Sequence, residues 1–113
     1  MVEESDYERE CKLIDEMFPG AKFTISIDIN DLDNIVTDKK FIIIQQTFNC
    51  YCYDNIHTKN KLYNVKCLEN ESLTNEYIIN ELIKQGLKVN CDHIFLESFD
   101  FIKDNLFLFS CGS

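Results

Sequence analysis

The stretch HIFLESFDFIKDNLFLFS, residues 93–110, contains two aromatic and apolar runs that a short polar segment separates. The first run, His93 to Ile102, predicts a β-strand, because aromatic and β-branched residues favour strands. Lys103-Asp104-Asn105 predicts a turn. Leu106 to Ser110 predicts a second strand, so this part of the chain is expected to form a β-hairpin.

The segment before this hairpin predicts a helix. Thr74 is a suitable N-cap, and Gly86 stands where a helix that ends in a left-handed residue would place its glycine. The apolar residues between them follow helical spacing and form one stripe: Ile78, Ile79, Leu82 and Ile83.

Three further strands and a second helix are predicted upstream. Phe41 to Ile44 is apolar on both faces, which favours a central strand. Leu62 to Leu68 alternates, with Tyr63, Val65 and Cys67 on one side. Lys22 to Ile29 also alternates, and Asn30 to Asp38 is expected to be an acidic loop.

A capping-box pattern, Ser5 with Glu8, predicts an N-terminal helix from Asp6 to Met17. The predicted order is therefore α-β-β-β-α-β-β in a single domain over residues 1–113. Segregated hairpins and helices indicate an α+β fold: an antiparallel or mixed sheet of about five strands, with two helices on one face. The part from Phe41 to Cys111 would also suit a β-grasp layout, a likeness of topology that carries no function.

Composition narrows the classes of partner. Apolar residues make up 45% of the chain, enough for a core, and 20 acidic residues against 11 basic ones give a net charge of −9. Nucleic acids and anionic membranes repel such a surface, so neither is an expected partner. A basic protein is the partner that this charge favours.

The N-terminus reads MVEESD and lacks the features of a secretory signal. We therefore expect a cytoplasmic protein whose six cysteines are free thiols or metal ligands.

The strongest candidate for metal chemistry is a set of cysteines and a histidine. Cys50 and Cys52 are two positions apart, as are Cys91 and His93, and on strands each pair would project from one face. Together with Cys67 they could supply the tetrahedral ligands of zinc. No Cys-x2-Cys knuckle is present, and free cysteine commonly packs as a small apolar residue. No other cofactor is predicted.

Two other chemistries are weaker. Cys50 or Cys91 could act as a nucleophile with His57 or His93 as its base, but no oxyanion-type loop accompanies them. The segment from Asp28 to Asn34 resembles half a calcium loop, but it lacks the glycine and the fifth-position ligand. Neither pattern predicts an enzyme, although a pocket invisible in the sequence would permit one.

The remaining candidates are binding surfaces. Tyr51 and Tyr53 fall on one side of a strand, and Phe95, Phe99 and Phe101 are expected to share another. An aromatic patch left exposed would bind a protein partner. The last strand, with Leu106 and Leu108, is predicted to be an uncovered sheet edge that pairs with a partner or with another copy of the chain. The leading hypothesis is a non-catalytic protein-interaction module, with a zinc or thiol-redox domain as the alternative.

Overall fold

The computed structural model describes residues 6–46, 61–89 and 95–112. In chain order the elements are helix α1 (Asp6–Met17), strand β1 (Thr24–Ile25), a 3-10 helix (Ile29–Asp31), β2 (Ile35–Thr37), β3 (Phe41–Gln46), β4 (Lys61–Lys66), β5 (Leu73–Thr74), helix α2 (Asn75–Lys84), β6 (Phe95–Lys103) and β7 (Leu106–Gly112). The predicted α+β class and the predicted order of the main elements are confirmed.

Five strands form one mixed sheet in the order β1-β6-β7-β3-β4. The central pair, β7 and β3, is parallel, and each of these strands has an antiparallel neighbour on its other side. Helix α2 lies in the chain between the two antiparallel pairs. This arrangement is the β-grasp layout predicted for the stretch from Phe41 onward. Strands β2 and β5 form a separate antiparallel pair.

The core lies on one face of the sheet. Alternate residues of the strands, including Ile42, Ile44 and Val65, are fully buried. The buried residues of both helices belong to the same apolar cluster, which includes Ile14 of α1, Phe18 directly after it, and Ile78, Ile79 and Leu82 of α2. The side of β4 that carries Tyr63, Val65 and Cys67 faces this core, as predicted.

Helix α2 begins and ends at the signals that the sequence contains. The Thr74 hydroxyl accepts a hydrogen bond from the Tyr77 backbone N–H at 3.1 Å, which satisfies one of the free donors of the first turn. Gly86 has φ +80°, the left-handed conformation that ends a helix at little cost only when the residue is glycine.

Two predictions about the segment from Lys22 to Asp38 are wrong in part. The strand is much shorter than predicted, because Asp28 accepts the Asn30 backbone N–H at 2.8 Å and starts a 3-10 helix. The expected acidic loop contains β2, whose Ile35 pairs with Thr74 of β5. The Asp28 and Asp31 carboxylates both accept hydrogen bonds within the turn, so they organise the backbone locally.

Candidate functional site

Most of the predicted cysteine–histidine set falls outside the described residues. Cys50, Cys52, Cys91 and His93 lie there, as do Tyr51, Tyr53 and His57. The zinc site and the tyrosine surface therefore stay predictions.

Cys67 is the member of that set that the structure describes. It follows β4, is 5% exposed and packs in the apolar core as a free thiol. Within residues 6–46, 61–89 and 95–112, no three His, Cys, Asp or Glu side chains are grouped to hold a metal ion. Such burial is typical of a cysteine that packs as a small apolar side chain.

Two further thiols, Cys11 and Cys111, are exposed. The Cys111 thiol lies 3.7 Å from the backbone oxygen of Phe109, to which it donates a weak hydrogen bond. Although the residue as a whole is exposed, its sulfur is partly buried. This partial burial and, to a smaller extent, the charge of Glu97 raise the pKa of Cys111 to about 11. Because the thiolate is the nucleophilic form, Cys111 is a poor nucleophile near neutral pH.

The prediction that Leu106 to Ser110 forms a sheet edge is wrong. Strand β7 is hydrogen-bonded to β6 on one side, and its residues Leu106 to Leu108 pair with β3 on the other, so this part of the strand lies inside the sheet. In the described part of the chain the sheet ends at β1 and at β4. The proposal that a partner strand pairs with β7 therefore falls.

Leu106 and Leu108 nevertheless lie on an accessible surface. Their register partners on β3, Ile43 and Gln45, are also half-buried. These four side chains alternate with the core residues, so they point to the face of the sheet opposite the core. We call this surface the outer face.

Exposed apolar side chains concentrate at one end of the sheet. Half of the large apolar residues that are strongly exposed in the described part of the chain lie here, namely Phe41 (40% exposed), Leu68 (68%), Phe101 (61%) and Ile102 (42%). We call these four residues the apolar end.

The strand register brings this end together. Phe41 lies opposite Lys66, at the start of β3 and the end of β4. Leu68 follows two positions later. Leu106, the first residue of β7, pairs both with Lys103 of β6 and with Ile43 of β3. The start of β3, the end of β4 and the β6–β7 turn therefore lie at one end of the sheet. Phe41 points to the outer face there, whereas Phe101 lies on the core side, opposite Phe107.

Phe101 is held in place although it is exposed. Its ring meets Phe107 edge to face, with centroids 5.5 Å apart. The Lys39 ammonium lies 5.8 Å from the Phe101 ring centroid, and it also donates hydrogen bonds to the backbone oxygen of Asp104 and to Asn105 Oδ1. Such contacts restrict the ring before a partner arrives.

The sequence indicated only part of this site. Phe101 belonged to the predicted aromatic patch, but Phe41 was assigned to a central strand and Leu68 to the end of a strand. Register shifts between Leu96 and Ser98 and between Phe101 and Lys103 interrupt the alternation of β6. Lysines flank these strands in the sequence, and they are the signal from which an exposed end could have been predicted.

A shallow polar depression of about 370 Å³ lies at the start of α2. Its lining includes the Glu71 and Glu76 carboxylates and the Tyr77 side chain. None of its lining residues is buried, and the described residues contain no buried polar side-chain atom without a partner. Nothing in it selects a ligand.

No helix within the described ranges is long and apolar enough to cross a membrane. Comparison of the chain with protein-family models, with curated proteins and with solved structures finds no match. The candidate site is therefore defined by its own geometry, as an exposed apolar end on a mixed β-sheet.

Proposed function

We propose that this protein is a non-catalytic interaction module that binds another protein through the apolar end. The observation that carries this proposal is the concentration of Phe41, Leu68, Phe101 and Ile102 at one end of the sheet. Single exposed apolar residues are ordinary on a protein surface, but several at one end of a sheet favour an interaction site.

Phe101 is the expected anchor of the contact. Phe101 is 61% exposed, and full burial of a Phe side chain contributes about 1.5–3 kcal/mol, so burying the rest of Phe101 would contribute about 1–2 kcal/mol. The edge-to-face contact with Phe107 and the ammonium of Lys39 already fix its position. An anchor that is ordered in the free protein loses little entropy on binding, which favours affinity.

Lysines form the rim of the apolar end. Lys39 and Lys40 donate to oxygens within the chain, Lys40 to the backbone oxygen of Glu71 at 2.6 Å. Lys66 and Lys103 are exposed. Polar rims around apolar centres are characteristic of protein interfaces, and these ammonium groups would donate hydrogen bonds to carboxylates of the partner.

The proposal is tested by photo-crosslinking in cells that normally contain the protein. A photoreactive amino acid is placed at position 101 or, as the matched control, at position 35. Ile35 on β2 is as exposed as Phe101, at 61%, but it belongs to the separate two-stranded sheet. We expect a discrete crosslinked partner from position 101 and not from position 35.

The same partner should be lost from affinity capture with Phe101→Ser and retained with Ile35→Ser. Equal capture by both variants would contradict a contact at the apolar end. Turnover of a substrate that survives Phe101→Ser would contradict a non-catalytic role.

A further inference from the structure

Strand β4 is an edge of the sheet whose outward side is already occupied. In an antiparallel ladder, alternate residues direct both backbone groups toward the same neighbour. The Cys67 backbone N–H donates to the Lys40 backbone oxygen at 2.7 Å. The backbone N–H and C=O groups of Tyr63, Val65 and Cys67 therefore point toward β3. Leu62, Asn64 and Lys66 therefore direct their backbone groups away from the sheet.

Two side chains at the ends of α2 donate hydrogen bonds to backbone carbonyls of β4 that point away from the sheet. Gln85 Nε2 donates to the Asn64 oxygen at 2.7 Å, and the Tyr77 hydroxyl donates to the Lys66 oxygen at 3.0 Å. Tyr77 lies in the first turn, which the Thr74 cap fixes, and Gln85 is the C-cap residue. Both side chains are thus anchored at defined ends of the helix.

An unprotected β4 would be prone to self-pairing. The strand pairs with β3 without a register shift, and Leu62 on it is 62% exposed. Antiparallel pairing of two copies about Asn64 would set Leu62 opposite Lys66, so no two lysines would face each other directly. This pairing would require the carbonyls of Asn64 and Lys66 in each copy as acceptors.

We propose that Tyr77 and Gln85 close the β4 edge against a second copy of the chain. The two side chains satisfy the carbonyls that an incoming strand would need. Natural sheets commonly protect their edges by covering them in this way. The inference concerns β4 and does not depend on binding at the apolar end.

The test removes both donors with Tyr77→Phe and Gln85→Ala. Sedimentation velocity over a wide concentration range compares this double variant with the unchanged protein, and circular dichroism confirms that it folds. We expect the dimer Kd to fall about tenfold or more, because dimerisation no longer displaces these hydrogen bonds. If the double variant does not fold, the two single variants are compared, and each should shift Kd in the same direction.

A third substitution, Asn64→Pro, identifies the surface involved. The Asn64 N–H faces away from β3, so proline there leaves the β3–β4 ladder intact but blocks an added strand. The triple variant should dimerise no more than the unchanged protein. A folded double variant with unchanged Kd, or dimers that persist with Asn64→Pro, would overturn the proposal.

Discussion

Replacing Tyr63 by Phe removes a single hydroxyl, and the structure gives the size of the effect. That hydroxyl donates to Gln46 Oε1 at 3.1 Å, and Gln46 is 1% exposed at the end of β3. The Gln46 amide also donates from Nε2 to the Lys88 backbone oxygen at 3.0 Å. Tyr63→Phe leaves a buried oxygen without this donor, so we expect a loss of about 1–3 kcal/mol in the free energy of unfolding.

Urea unfolding at neutral pH measures this loss as a lower midpoint with an unchanged m value. Tyr77→Phe is the matched control, because its hydroxyl donates to an exposed strand edge where water can replace it. The control should lose about 1 kcal/mol or less. Combining Tyr63→Phe with Gln46→Leu replaces both partners by apolar groups and should cost less than the two single changes added together.

The reasoning about Gln46 would be refuted in either of two ways. Tyr63→Phe could prove no more destabilising than Tyr77→Phe, which would mean that burial of the acceptor does not decide the cost. Alternatively, the effects of Tyr63→Phe and Gln46→Leu could add fully, which would mean that the two side chains are not coupled.

Three further predictions follow from the structure and the sequence. Gly86→Ala should cost about 1 kcal/mol in thermal unfolding through its φ of +80° alone, since an added Cβ meets no atom within 4 Å; an unchanged melting temperature would contradict this. The pKa of Cys111 rises from 9.0 to about 11 on folding, so the unfolded chain ionises first and stability should fall as pH rises through this window. Cys111→Ser should weaken that fall between about pH 9 and about pH 11 in urea midpoints, and an identical pH dependence would exclude the thiol as its cause. If the predicted cysteine–histidine set binds zinc, purified protein should contain stoichiometric zinc and melt lower in chelator, whereas trace zinc and unchanged melting would reject the site.

Local signals in the sequence predicted the parts of the fold that depend on neighbouring residues. The Thr74 cap and the glycine at position 86 predict where α2 begins and ends, because a helix end is determined within one turn. The alternation of Tyr63, Val65 and Cys67 identified the core face of β4, because side-chain direction has a period of two along a strand.

Strand order could not be predicted in the same way. Ile43 pairs with Leu106, far along the chain, and no local pattern specifies that choice. Leu106 and Leu108 were therefore assigned to an edge, although an uncharged apolar strand is also typical of a sheet interior. The short pairing of Ile35 with Thr74 was missed for the same reason.

The candidate site follows from that strand order. Phe41 begins an apolar run that indicates burial, yet it is exposed because it starts β3 at the end of the sheet. Phe101 lies next to Phe107, so its neighbours gave no hint that it extends beyond the core.

The position of β7 has a consequence for biosynthesis. Although it follows every other described strand in the chain, it joins the β3–β4 hairpin to β6 in the centre of the sheet. On the ribosome, β3 and β4 would leave the exit tunnel before β7. The side of β3 that pairs with β7 would therefore stay unpaired until β7 emerges. The nascent chain would thus expose the apolar side of β3 until β7 is synthesised, and transiently exposed apolar surface of this kind is prone to aggregation. Truncations that remove β7 should therefore yield aggregation rather than a smaller stable domain.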